Sequence, residues 1–217
     1  LAAQQVNLEQ HWMYDTVQRS QVKRHLNDYF YYGGLPEILS FQNKRSMLSS
    51  LYQKIYLGDI CARNNIKSDR VLNILIKKMA ESVKQPLSFN RLKNVIVATG
   101  APISVPTTID YVDYASDSWL ILPMENEVGK LTEKEMQKKY YFVDNGLLNL
   151  FLMNSETSLL ENMVAVELCR RFGKNNVFFL NAEKEIDFIV PDQKLALQVS
   201  YTIKEEATYN REVPPLV

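Results

Sequence analysis

Residues 88–102, SFNRLKNVIVATGAP, predict one helix and the tight turn that ends it. Ser88 is a favourable N-cap, and the apolar residues after it recur at the spacing of a single helix face. Gly100 and Pro102 cannot continue that helix. This stretch therefore fixes the centre of a helical unit, and the elements on either side can be placed relative to it.

Two further helices flank this stretch. Residues 69–83 have a continuous apolar stripe, and residues 104–118 begin with a capping Ser104 and carry Pro106 in the first turn. Short strands are predicted at 119–122 and 140–143, joined by a charged loop at 125–139. Helix, helix, turn, helix and a hairpin is the element order of a winged helix, which we predict for residues 67–152.

The third helix of this unit argues against reading the DNA major groove. It carries Asp110, Asp113 and Asp117 and has no Lys or Arg, so phosphates would repel it. The following loop alternates lysines with glutamates, which predicts a solvated loop; its lysines are Lys130, Lys134, Lys138 and Lys139. These features favour a structural or protein-contact role over sequence-specific DNA binding.

The first 66 residues predict a helical connector. Apolar residues recur at helical spacing over residues 6–41, with Leu26, Tyr29 and Phe30 expected on one face. Gly33 and Gly34 interrupt this pattern, and a second helix is expected at 46–61. We interpret the two glycines as a hinge.

Composition limits the class of protein. The 217 residues are 46% hydrophobic and carry 25 basic and 25 acidic side chains, which excludes disorder as the main description. No apolar run is long enough to span a membrane, so we expect a soluble, cytoplasmic protein without a membrane partner. Cys61 and Cys169 are expected to be reduced thiols.

The charges are unevenly distributed. Residues 1–100 carry 14 basic and 7 acidic side chains, whereas residues 101–217 carry 11 and 18. The two surfaces could face each other within the fold or across an oligomer, or the basic half could bind nucleic acid. The candidate contacts for nucleic acid are Lys23, Arg24, Arg63, Lys67, Arg70, Lys77 and Lys78.

Residues 153–217 predict a helix bearing Glu161 and then three strands, at 177–180, 186–190 and 195–201. This order resembles the restriction-endonuclease-like fold with its PD-(D/E)xK signature, and we expect the final elements of that fold to be missing here. The resemblance implies a Mg²⁺ site with Glu161 as the helix acid and Asp187 as the central acid. Gln198 and Ser200 then stand where the signature has its second acid and its lysine.

These two departures predict a vestigial site. Gln198 supplies no negative charge for Mg²⁺, and Ser200 supplies no positive charge to a transition state. We therefore predict that this site binds no metal, and we assign none of its residues a catalytic role. In that case Glu161 and Asp187 are polar residues that bond backbone amides. The alternative is a weakened metal-dependent nuclease, which requires Glu161, Asp187 and Gln198 to converge within a few ångströms.

Several motifs, in order, resemble a larger family. They are YYGGLPE at 31–37, YLGDI at 56–60 with Arg63, KYYFVDNGL at 139–147, Glu161-Asn162, Glu167-Leu168 with Arg170-Arg171, and EIDF at 185–188. The chain resembles the C-terminal region of prokaryotic AAA-type ATPases, a domain of unknown function with a winged helix and an endonuclease-like fold. No phosphate-binding GxxxxGK[ST] loop occurs, so ATP and Mg²⁺ would belong to an ATPase domain upstream.

Together these observations predict an α+β, mainly helical chain: a connector at 1–66, a winged helix at 67–152 and a partial endonuclease-like α/β subdomain at 153–217. We expect no enzyme activity and no cofactor in this chain. The predicted function is a regulatory or interaction module whose partners are an upstream ATPase domain in cis and either another protein or a second copy. DNA binding and a weakened nuclease are the two alternatives.

Overall fold

The computed structural model describes residues 15–66, 69–153, 155–182 and 185–201. Within them the chain is mainly helical with two small three-stranded antiparallel sheets, so the prediction of a mixed α+β fold is confirmed. Among the described residues, no helix has both the length and the apolar character needed to cross a membrane.

The first helix, α1 (Thr16–Tyr32), begins at Asp15, whose carboxylate accepts hydrogen bonds from Val17 and Gln18, and ends at Gly33 with φ of 77°. The apolar face predicted for this helix is buried only in part. Phe30 is buried, but 52% of Leu26 and 38% of Tyr29 remain exposed. Among the residues of this helix, only Phe30 near its C-terminus is fully buried, so most of the helix lies on the surface.

A 3₁₀ turn at Pro36–Ile38 precedes the second helical segment. This segment begins as α2 (Lys44–Gln53) and continues as a π-helix (Lys54–Ala62). A helix was expected at 46–61, and the structure is helical there, with Leu48, Tyr52, Tyr56 and Ile60 buried. The ring of Tyr52 meets that of Phe151 edge-on at 5.0 Å, which joins this segment to the rest of the core.

The central unit contains four helices, the last of them short, and a three-stranded sheet. Its elements are α3 (Asp69–Glu81), β1 (Leu87–Ser88), α4 (Phe89–Ala98), α5 (Val105–Asp117), β2 (Ile121–Met124), α6 (Leu131–Met136) and β3 (Gln137–Phe142). Both predicted caps are confirmed, since Ser88 and Ser104 each accept a backbone N–H at 3.2 Å. The strand order is β1-β3-β2, with β3 central.

The charged loop differs from its prediction. The short helix α6 forms inside it, and β3 begins at Gln137 and takes in Lys138 and Lys139. Lys139 was predicted in a solvated loop, and this was wrong, because its side chain is fully buried. The reason is non-local: β3 pairs with β1 on one side and β2 on the other, and the pairing extends it into the charged segment.

The remaining elements follow the predicted order, except that the short helix at Asn145–Asn149 was not predicted. They are α7 (Asn145–Asn149), α8 (Glu156–Phe172), β4 (Phe178–Asn181), β5 (Glu185–Val190) and β6 (Leu195–Leu197), with 3₁₀ turns at Lys174–Asn176 and Pro191–Gln193. The last strand is shorter than predicted and ends at Leu197. The strand order of this second sheet is β4-β5-β6.

The segment after β2 joins the two sheets. The backbone of Phe179 in β4 donates to Glu125 at 3.0 Å and accepts from Glu127 at 2.9 Å. The Asn126 side chain exchanges two hydrogen bonds with the backbone of Asn181, each at 3.1 Å. This pairing covers the outer edge of β4, and the buried apolar residues form one cluster from Phe30 to Val190.

Candidate functional site

A buried ammonium group lies between two acids at the junction of the two sheets. The Nζ atom of Lys139 is 3.4 Å from Oε1 of Glu161 and 3.2 Å from Oδ1 of Asp187. The exposed fractions of the three side chains are 0% for Lys139, 4% for Glu161 and 9% for Asp187. We call Lys139, Glu161, Asp187 and Tyr141 the lysine–acid centre.

The four members of the lysine–acid centre come from three elements of the fold. Lys139 and Tyr141 are two residues apart in β3 and so point to the same side of the strand. Glu161 projects from α8 and Asp187 from β5. Tyr141 donates its hydroxyl hydrogen bond to Glu161 at 2.9 Å, and the ring of Phe179 lies 5.6 Å from the Lys139 ammonium.

The segment after β6 completes the surroundings of Asp187. Val199 donates its N–H to Oδ2 of Asp187 at 3.0 Å, and the N–H of Asp187 is donated to Oε1 of Gln198 at 3.2 Å. Gln198 and Ser200 are both half-buried in this segment. The structure therefore brings Glu161, Asp187 and Gln198 into one region, where the side-chain oxygen of Gln198 faces the backbone N–H of Asp187 rather than its carboxylate.

Burial sets the charge states in this centre. Loss of water raises the pKa of Glu161 to about 7, and the negative charge of Asp187 adds to the rise, while Lys139 and Tyr141 oppose it. Burial acts to lower the pKa of Lys139, but the carboxylates of Glu161 and Asp187 outweigh it and the pKa rises. The same causes, burial and the Glu161 charge, place the pKa of Tyr141 well above its usual value.

A second polar cluster ties α1 to the middle of the chain. Asp144 caps α7 and accepts hydrogen bonds from Gly146 at 2.8 Å and Leu147 at 3.3 Å. Its other oxygen accepts the N–H of Gly34 at 2.7 Å. Burial raises the pKa of Asp144, although these N–H groups favour its charged form. A Cβ atom on Gly33 would lie 1.9 Å from Oδ1 of Asp144, so the turn needs glycine there.

Three asparagines extend this cluster, which we call the Asp144–asparagine clamp. Asn145 donates to the backbone oxygens of Phe30 at 3.0 Å and Leu159 at 2.9 Å, and Asn149 donates to Tyr31 at 2.9 Å. Asn145 also accepts from Asn162 at 2.9 Å. The clamp therefore connects the end of α1 with both α7 and α8.

Asn162 fixes α8 on β3. Its side chain accepts the N–H of Phe142 at 2.7 Å and donates to the C=O of the same residue at 3.0 Å. Asn162 is fully buried, and the neighbouring Glu161 faces Lys139. The Glu161-Asn162 pair thus attaches one helix to one strand through two adjacent side chains.

The predicted basic contacts are spread over three elements. Lys23 and Arg24 lie on α1, Arg63 follows the π-helix, and Arg70, Lys77 and Lys78 lie on α3. Lys78 is half-buried and the other five are exposed, whereas Lys67 falls outside the described residues. Several have protein partners. Arg63 lies 3.7 Å from Asp59, Arg70 donates to Thr99 at 3.1 Å, and Lys78 lies 3.2 Å from Glu81.

The residues that sequence reasoning missed are Lys139, Tyr141, Asp144 and the clamp asparagines. Most of them belong to the KYYFVDNGL motif and its continuation to Asn149, and that motif is noted above only as a mark of family resemblance. The alternation of Lys139 and Tyr141 before a capping Asp144 was the available signal. Their acidic partner Asp187 lies 48 residues after Lys139, and no local pattern reveals that contact.

Among the described residues, no group of three or more His, Cys, Asp or Glu side chains could hold a metal ion. The residues that the endonuclease-like resemblance would assign to Mg²⁺ do not fit it well, because the ammonium of Lys139 contacts both acids. Glu161 and Asp187 are also not explained by bonds to backbone amides alone, although Asp187 makes one with Val199.

Comparison with known proteins places the chain among uncharacterized relatives. A family model described as "Domain of unknown function (DUF8612)" matches residues 23–158. An uncharacterized protein of Methanocaldococcus jannaschii is 28% identical over 88% of this chain and 45% of its own length. One from Haemophilus influenzae is 29% identical over 82% of this chain and 46% of its own length. The chain thus spans about half the length of these relatives, and no solved structure matches.

Proposed function

This chain belongs to the family described as Domain of unknown function (DUF8612), and from that premise we propose that it is a non-catalytic regulatory or interaction module of a longer AAA-type ATPase. In this proposal residues 1–66 are a connector to an upstream ATPase domain, residues 67–152 are a winged helix, and residues 153–217 are a degenerate endonuclease-like unit. The similar proteins are about twice as long as their matched parts, which leaves room for such a domain.

The observation that carries the proposal is the Asp144–asparagine clamp. It attaches the end of α1 to α7 through Gly34, Phe30 and Tyr31, and Asn145 extends the attachment to α8. A movement of α1 would therefore displace α7 and α8 rather than be absorbed at a loose joint. In this proposal the Gly33-Gly34 turn is the hinge, and the hydrogen bond from Gly34 to Asp144 sets the angle between α1 and the chain that follows it.

The order of elements supports a winged helix that contacts protein. Three helices precede the hairpin, and the strand order β1-β3-β2 suits the fold. Asp110, Asp113 and Asp117 are exposed on α5, the helix that would enter a groove. Their charges would repel phosphates and suit a basic protein surface.

Coupling through the clamp can be tested in the longer protein by hydrogen exchange. ATP should change the exchange protection of α7 and α8, and Asn149→Ala should weaken that response because it removes the bond to Tyr31. Asn64→Ala is the matched control, since Asn64 donates within its own helical segment to Ile60. Equal responses in both variants, or no response to ATP in the unaltered protein, would contradict the proposal.

The two alternatives can be tested on this chain directly. Labelled duplex and single-stranded DNA should be neither cleaved in Mg²⁺ nor bound in a salt-sensitive manner. Tight binding that weakens steeply with salt would instead favour the basic half as a DNA-binding surface. Cleavage that is lost in Asp187→Asn would favour a metal-dependent nuclease.

A further inference from the structure

The endonuclease-like resemblance implies a divalent cation between Glu161 and Asp187, and the structure has a different positive group there. Lys139 reaches in from β3, which belongs to the other sheet, and its Nζ atom contacts one oxygen of each acid. The register of β3 against β2, with Lys139 opposite Met124, fixes the direction of approach.

Three of the four carboxylate oxygens of Glu161 and Asp187 already have partners. Oε1 of Glu161 faces both Lys139 and the Tyr141 hydroxyl, while Asp187 uses Oδ1 for Lys139 and Oδ2 for the N–H of Val199. Mg²⁺ and Mn²⁺ prefer several oxygen ligands in close, nearly octahedral geometry. A divalent ion at these oxygens would also be repelled by the nearby ammonium in a region of low dielectric.

We infer that the ammonium of Lys139 is the resident cation of the lysine–acid centre and excludes divalent metal ions from it. This inference deepens the proposed non-catalytic function and rests on it for its biological meaning. The same strand that would form the hairpin of the winged helix thereby closes the acidic centre of the following unit. The negative charges of Glu161 and Asp187 are therefore balanced by Lys139, which comes from the other sheet.

The primary experiment titrates Mn²⁺ into the full chain and counts bound ions by electron paramagnetic resonance. The unaltered chain should bind no ion that depends on Asp187. Lys139→Ala should gain one Mn²⁺ site whose affinity is at least tenfold higher than any Asp187-dependent binding by the unaltered chain. Adding Asp187→Asn should remove that site. Lys139→Arg is the matched control, because it keeps a positive charge and should gain no site.

Folding of the alanine variant does not limit the test. If Lys139→Ala is unfolded without metal, Mn²⁺ should restore its folded circular dichroism spectrum, because binding to the folded form stabilises it. A folded Lys139→Ala that binds Mn²⁺ no better than the unaltered chain, or an unfolded one that Mn²⁺ does not restore, would overturn the inference.

A second measurement needs no substitution. In the ¹⁵N-lysine-labelled chain, Mn²⁺ should leave the side-chain resonance of Lys139 unbroadened, because the paramagnetic ion is kept out of the centre. Selective broadening of that resonance would overturn the inference. Mn²⁺ binding by the unaltered chain without DNA cleavage would refute metal exclusion and leave the proposed non-catalytic function standing.

Discussion

The carboxylate of Asp144 accepts the backbone N–H of Gly34 at 2.7 Å across 110 residues of sequence. The same carboxylate caps α7 through Gly146 and Leu147. One side chain therefore both starts a helix and holds the turn that ends α1. This double use supplies the N–H partners that the buried carboxylate needs at a position where burial raises its pKa.

Gly33→Ala should destabilise the protein by about 2–4 kcal/mol. Gly33 has φ of 77°, and its new Cβ would approach Oδ1 of Asp144 to 1.9 Å, so Asp144 must move and weaken its hydrogen bonds. Urea unfolding followed by circular dichroism would measure the loss. The large expected effect also means that this substitution cannot test hinge flexibility separately from stability.

Gly100→Ala is the matched control for backbone strain alone. Gly100 has φ of 80°, but a Cβ there meets nothing within 4 Å, so we expect a loss of about 1 kcal/mol. Combining Gly33→Ala with Asp144→Ala should cost less than the sum of the two single changes, because the clash is removed. Equal losses for the two glycine variants would show that contact with Asp144 is unimportant.

Asn162→Ala should cost about 2–4 kcal/mol, because it removes the partner of both the N–H and the C=O of buried Phe142. Asn176→Ala is a suitable control. Asn176 also bonds a backbone oxygen, that of Phe172, at 2.7 Å, but in an exposed position, and we expect a loss below about 1 kcal/mol. Similar losses in thermal or urea unfolding would contradict the role of burial.

The helices were largely predictable from the sequence, since their signals are local. Ser88 and Ser104 cap helices where expected, and apolar spacing located the buried faces of α3 and α4. Leu26 and Tyr29 lie on the predicted apolar stripe and are nevertheless exposed, because spacing does not show whether another element covers a stripe. For α1, only the end near Phe30 is covered.

The candidate site was predicted only in part. Glu161 and Asp187 were identified through the resemblance to the endonuclease-like signature, but Lys139 was assigned to a solvated loop. Charged residues alternate around Lys139, and that pattern does not reveal that β3 has a neighbour on each side. Its acidic partners lie 22 and 48 residues later, so tertiary pairing alone determines the burial.

Lys139→Met should destabilise the protein by about 3–5 kcal/mol, because two buried acids lose their shared positive partner. Adding Glu161→Gln and Asp187→Asn should recover most of that loss by removing the uncompensated charges. Lys138→Met is the neighbouring control. Lys138 pairs with Glu125 and Glu135 nearer the surface, where we expect about 0–1 kcal/mol. A triple variant no more stable than Lys139→Met would contradict this charge argument.

The stability of the unaltered protein should fall relative to that of Glu161→Gln as pH rises from about 4.5 to above 7. The pKa of Glu161 is about 7 in the folded chain and near 4.5 when unfolded, so the folded state retains a proton that the unfolded state has released. This contribution is full below pH 4.5 and lost as pH rises through 7, by at most about 3 kcal/mol.

Urea unfolding of both proteins at intervals between pH 4.5 and 8 would measure this difference. Glu167 does not interfere, because hydrogen bonds from Arg170 and Arg171 lower its pKa to about 2, and its contribution is lost only as pH falls below about 4.5. Asp144, whose pKa is raised, is present in both proteins and cancels in the comparison. A difference that stays constant across this range would show that Glu161 binds its proton equally well in the folded and unfolded states, with Lys139 offsetting the effect of burial.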